Sequence, residues 1–204
     1  MIKTSSTFGL VLLVAVAVQA GDDGKDKPAA KSPVTAKLVA KKTTFDLDLG
    51  GMTPAEYKKA LQNLDEPNKL PPLPKVDMAL ELTNTSDKDV QVWISGSPVT
   101  LTLDLKGRGA VKVTPRQFFP AIFILPKPVS LAPRKSHVVP IGSLSYGRRG
   151  IEHRAYWTEA GDYTLQASLI TGLNPPPKGV EPDKNGFGKA TLTSEPIKIK
   201  IQAK

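Results

Sequence analysis

Apolar and polar residues alternate along most of the chain with a period of two, the pattern of half-buried strands. Phe45, Leu47 and Leu49 alternate with Thr44, Asp46 and Asp48. Val76, Met78, Leu80 and Leu82 share a face of VDMALELTN, and Val90, Val92 and Ile94 one of VQVWISG. The intervening NTSDKD is a turn cluster, so these two strands are expected to form a hairpin. The alternation resumes in VTLTLDL, is reversed by Lys106-Gly107-Arg108-Gly109, and continues through Ala110 to Val113. SLAPRKSHVVPIG reads as a turn and strand. YTLQASLIT presents Tyr163, Leu165, Ala167 and Leu169 to a core, and Ile197, Ile199 and Ile201 close the chain after a loop rich in proline and glycine.

One segment breaks this period. In TPAEYKKALQNLDEP, Thr53 is a helix cap, Pro54 suits the first helical position, and Glu56 completes a capping box. Tyr57, Ala60, Leu61 and Leu64 then form a single apolar stripe. So short a helix needs tertiary packing, and an edge or open end of a sheet is the expected place. KLPPLPK, residues 69–75, reads as an extended proline-rich connector. Residues 118–128 are nearly continuously apolar, but Pro120, Pro126 and Pro128 forbid a central strand. They read as an edge strand or a packed crossover, and as a partner surface where exposed.

About eight short strands with regularly spaced turns and one short N-terminal helix predict an all-β chain, an immunoglobulin-like antiparallel β-sandwich. The folded domain is placed at residues 36–204. Residues 21–35 are charged and small, a flexible linker. In residues 1–20, Lys3 precedes an apolar run from Phe8 to Val18, and Val18-Gln19-Ala20 is a small-x-small cleavage pattern. That is the layout of a signal peptide, and the run is short of the roughly 20 residues a membrane span needs. A secreted, periplasmic or cell-envelope protein is therefore expected.

The chain has no cysteine, so an exported fold must rely on its core. Nineteen prolines in 204 residues are nearly double the ~5% average, which suits many turns. Net charge is +9. Losing residues 1–20 removes one lysine and no acid, leaving +8. Outside the cytoplasm such charge suits acidic envelope polymers or plain solubility, and nucleic acid is not an expected partner.

The stretch Glu159-Ala160-Gly161-Asp162-Tyr163-Thr164-Leu165 resembles the tyrosine corner of immunoglobulin-like sandwiches, with leucine at the usual cysteine position. Trp157, Gly161 and Tyr163 are accordingly read as a structural corner. A broader likeness runs from Val76 to Leu169. LTNTSDKDVQVWISG, an APRKS turn and W-x-x-x-G-x-Y together resemble bacterial immunoglobulin-like domains of the intracellular proteinase inhibitor (BsuPI) type. That resemblance implies a small sandwich and, as an alternative function, protease inhibition through an exposed loop. It places no inhibitory residue here, and the helix near the front departs from the pattern.

Chemistry is sparse. His137 and His153 are the two histidines, without metal-ligand spacing, and no nucleophile elbow or phosphate-binding loop occurs. DLDLGG lacks the ligands of a calcium loop. No catalytic, cofactor or metal residue is assigned, and the chain reads as no enzyme; a hydrolase with a dispersed site is the remaining alternative. SYGRRGIEHRAYW supplies the candidate partner-binding residues Tyr146, Arg148, Arg149, His153 and Arg154. Guanidinium groups suit carboxylate or phosphate. The competing reading is a solvated hairpin tip whose charges pair locally with Glu152 and Glu159. The expectation is a monomeric, non-catalytic module that presents loops to a protein or to an anionic envelope polymer.

Overall fold

The computed structural model describes residues 32–116, 123–148 and 151–203. The expected signal peptide, most of the linker, residues 118–122 of the apolar segment and Arg149 lie outside the described residues. The strands are β1 Val34–Ala40, β2 Thr44–Asp46, β3 Lys75–Asn84, β4 Val90–Ser95, β5 Thr100–Gly107, β6 Ala110–Val113 and β7 Lys127–Leu131. After them come β8 Ser136–Ser143, β9 Ser145–Arg148, β10 Ile151–Trp157, β11 Gly161–Asn174, β12 Gly188–Thr193 and β13 Ile197–Gln202. Among the described residues one α-helix, α1 Pro54–Ala60, lies between β2 and β3. The fold is an all-β, immunoglobulin-like sandwich with one short helix.

One sheet has the order β1-β3-β8, all antiparallel. The other follows β2-β13-β11-β5-β9-β10-β6, with β12 and β4 joined to the far half of β11 and β7 joined to β4. Between them lies one core. Val34, Leu38, Met78, Leu80, Leu82 and Ile141 from the first sheet meet Leu103, Leu165, Ala167, Leu169, Leu192 and Ile199 from the second. Each fully buried leucine there contributes about 1.5–3 kcal/mol relative to exposure. The extra strands beyond the eight expected are mostly brief, such as β9, and the alternation read from Thr44 to Leu49 forms a strand only over Thr44–Asp46.

The helix follows its sequence cues. The Thr53 hydroxyl accepts from the Glu56 amide, and the Glu56 carboxylate accepts from the Thr53 amide at 2.8 Å. Tyr57 and Leu61 pack with Leu70, Val113 and Tyr156 in a second, smaller cluster. The helix therefore covers β10 and β6 at the end of the larger sheet. The proline-rich connector joins it there: Leu70 is buried, and the Tyr156 hydroxyl donates to the Pro71 carbonyl at 3.1 Å. Pro128 in β7 and Pro140 in β8 sit on strands that, among the described residues, are paired along one side only, where a missing N–H costs least.

The expected hairpin of β3 and β4 does not form. β3 is already paired on both sides, by β1 and β8, while β4 pairs with β7 and β11 in the other sheet. The NTSDKD turn is thus a crossover between sheets, organised by Asn84. This side chain is fully buried and donates to the carbonyls of Lys88 at 2.7 Å and Leu131 at 2.8 Å. Its Oδ1 accepts from the Ser86 amide and hydroxyl. Alternation marks a strand but not its partner, since pairing is settled by distant segments.

Replacing Asn84 by alanine removes the side-chain donor to the buried Leu131 carbonyl, at a cost of about 1–3 kcal/mol, while the Lys88 carbonyl keeps its bond from the Ser86 hydroxyl. The expected result for Asn84→Ala is a lower urea midpoint with an unchanged slope.

Candidate functional site

Two features lie at opposite ends of β10, a structural joint where it leads into β11 and a charged hairpin where it follows β9. At the joint, Gly161 opens β11 and Tyr163 is buried two residues later. The Tyr163 hydroxyl donates to the Glu159 carbonyl at 2.7 Å, the geometry of a tyrosine corner. Its cross-strand partner is Gly107, and a Cβ at that position would strike the Tyr163 ring. Thr158 donates from both its amide and its hydroxyl to the Gly109 carbonyl, at 2.9 and 3.0 Å. Trp157 packs on Phe45 with ring centroids 5.3 Å apart. The Glu159 carboxylate receives Lys58 of α1 at 2.7 Å and Arg108 at 3.2 Å, which ties the helix to the corner. The Lys58 hydrogen bond holds that carboxyl below its usual range, and burial pushes the Tyr163 hydroxyl up.

The hairpin is β9 and β10, with Tyr146 opposite His153 and Ser145 opposite Arg154. Alternation sends His153 to one face and Arg154 to the other. On the first face, the Tyr146 and His153 rings lie 5.4 Å apart, Lys112 Nζ sits 5.5 Å from the Tyr146 ring, and His153 Nδ1 hydrogen-bonds Thr114 Oγ1 at 2.8 Å. Burial, and then the Lys112 charge, lower the His153 pKa from its ordinary value. On the second face, Arg154 is committed. Its Nε donates to Glu152 at 3.0 Å and its Nη1 to the Pro67 carbonyl at 3.4 Å, while Ser145 also donates to Glu152.

The four candidate residues among those described do not converge. Tyr146 and His153 are together, Arg154 serves the opposite face, and the exposed Arg148 guanidinium has no partner among the described residues. Glu159, read from sequence as a local partner for these arginines, pairs instead with Lys58 and Arg108.

Elsewhere the polar groups are placed for structure. His137 and His153 lie on different sheets, and Ser136 hydrogen-bonds Thr83 at 2.8 Å. Among the described residues no three acidic or histidine side chains group to hold a metal, and no helix is long and apolar enough to cross a membrane. The sequence reading missed two concave surfaces. One is a cleft of about 440 Å³ where Asp46 and Asp48 meet Lys42, Lys75, Met52 and Trp157. The other is a more open groove of about 620 Å³ beside the corner, lined by Lys106, Lys198 and Lys200. Lys106, read from sequence as part of a turn, lies inside β5, and only the strand order brings it together with Lys198 and Lys200 of β13.

Two measurements follow from this geometry. Tyr163→Phe keeps the ring and removes the corner bond, so unfolding free energy should fall by about 0.5–1.5 kcal/mol. His153 is held neutral in the folded state to a lower pH than in the unfolded chain. Its contribution is therefore complete above the ordinary value of 6.5 and is lost as pH falls through the lower folded value. His153→Gln should lose less stability than the parent between about pH 7.5 and about pH 5, read from thermal midpoints.

No protein-family model and no curated protein matches the chain. Among solved structures it is similar to the ASH / PapD-like domain of human CEP192 (PapD-like domain 7), at 14% identity and a TM-score of 0.25, over 87% of this chain and 92% of that one. A superposition that loose carries no argument about family or function. The description as an immunoglobulin-like sandwich rests on the two facing sheets and the tyrosine corner.

Proposed function

We propose that this protein is an exported, monomeric, non-catalytic module that binds a protein or anionic polymer of the cell envelope through the outer end of the β9–β10 hairpin. The observation carrying this reading is the contrast along that hairpin. Its base is fastened on one face through Arg154 to the Pro67 carbonyl and through Tyr156 to the proline-rich connector, and on the other through His153 to Thr114. Its tip presents Arg148 unpaired among the described residues. A rigid base removes much of the ordering cost of binding, and a free guanidinium suits carboxylate or phosphate. The non-catalytic part is supported by the structural commitments of Ser136 and the separation of the two histidines.

Inhibition of a protease is a second reading, favoured by residues 123–125. The Ile124 carbonyl accepts from the Ser97 amide at 2.8 Å, while Phe123 and Leu125 are 69% and 75% exposed. An anchored backbone with free apolar side chains has the form of a segment that enters a protease cleft. Stoichiometric loss of a protease's activity, with the added protein intact, would establish that reading.

The envelope reading is tested by expressing the chain with its own first 20 residues and fractionating the cells. The expected product begins at Gly21 and sediments with isolated envelope in low salt, and Arg148→Ala/Arg149→Ala weakens that binding about tenfold. Full-length protein retained in the cytoplasm would sink the export proposal. Equal sedimentation of the double variant and its parent would remove the hairpin from the interface.

A further inference from the structure

We propose that the outer face of β5, β11 and β13, beside the tyrosine corner, is a docking groove for a linear polymer carrying phosphate groups. This goes beyond the hairpin reading and uses none of its residues. Thr164 of β11 is the cross-strand partner of Lys106 on one side and Lys198 on the other, and Asp162 faces Lys200. Alternation places these side chains opposite the buried Tyr163, Leu165, Ile199 and Ile201. They line the open groove of about 620 Å³ together with Thr43.

The groove is electropositive by composition, with three ammonium groups against the single carboxylate of Asp162. Lys198 and Lys200 have no side-chain partner among the described residues. Lys106 pairs with Asp104 at 3.1 Å, but both are more than half exposed, so this pair is weak and readily exchanged for a ligand anion. The donors are lysines and threonines, with no arginine to fork around a planar carboxylate; an ammonium acts as a point charge suited to phosphate.

Spacing argues for a chain of anions over a single ion. Lys198 and Lys200 are two residues apart on one strand, about 7 Å, and Lys106 lies two strand spacings from Lys198, about 10 Å. No single phosphate satisfies charges so dispersed, whereas successive phosphates along a polymer can. Bases are not part of the fit. The one aromatic ring at the groove, Tyr163, is 3% exposed and offers no stacking platform.

The test uses long-chain inorganic polyphosphate as the probe, with affinity measured across a salt series. The variants are Lys106→Gln/Lys198→Gln/Lys200→Gln and a control with equal charge loss away from the groove, Lys37→Gln/Lys135→Gln/Lys178→Gln. All six lysines are exposed, so unchanged melting temperatures confirm folding. The groove variant should bind about 30-fold or more weakly, with the salt dependence of log K shallower by about two to three. The control should stay near the parent, and Asp162→Asn should bind more tightly. Absence of saturable binding by the parent, or equal loss in the control, overturns the proposal. Equally tight binding of polyglutamate, lost in the same groove variant, overturns the assignment to phosphate. Arg148→Ala should retain full polyphosphate affinity, so failure here leaves the hairpin reading standing.

Discussion

The hydrogen bond from the Tyr163 hydroxyl to the Glu159 carbonyl sets where β11 begins, and much of the larger sheet is placed from β11. Fourteen residues long, this strand pairs with β13 and β5 along its first part and with β12 and β4 along its second. Tyr163, Leu165, Ala167 and Leu169 all face the core. A slip of one residue would send that whole row to solvent. The corner prevents this by a contact that has no alternative register: the ring lies where Gly107 has no side chain. Sequence-local chemistry thereby enforces a non-local pairing.

A second layer depends on Tyr156, which points away from the main core and would be exposed on the outer face of β10 without a cover. The helix and the proline-rich connector supply it, Tyr57 meeting the ring edge-on at 6.3 Å and Pro71 accepting its hydroxyl. Just before that connector, the Pro67 carbonyl accepts Arg154. The segment between β2 and β3 is thus mechanically part of the hairpin base, joined again to the corner through Lys58 and Glu159. Its prolines suit that role because an extended, pre-set backbone loses little entropy on docking.

What was legible in the sequence was local. The capping box at Thr53 and Glu56, the alternation in β3 and β11 and the Gly161–Tyr163 spacing all act within a few residues, and each appears where its pattern placed it. What was not legible depends on which strands become neighbours. β3 and β4 are consecutive strands that read as a hairpin, yet Asn84 carries the chain between sheets. Arg154 makes the local pairing with Glu152 that its neighbourhood suggested, but its bond to a carbonyl 87 residues away needs the folded chain. Lys106 and Lys198 are 92 positions apart and meet only across Thr164.

The parallel pairing of β2 with β13 bears on when the fold can close. Thr44 to Asp46 lie beside Lys200 to Gln202, and Phe45, Ile199 and Ile201 share the core. A strand near the front of the described chain and the last strand complete one another, with β13 held between β2 and β11. A nascent chain lacking residues 197–202 has neither an occupant for that slot nor a neighbour for β2. The core is left open along one side until synthesis passes that point. Topology thereby makes closure of the core wait for β13.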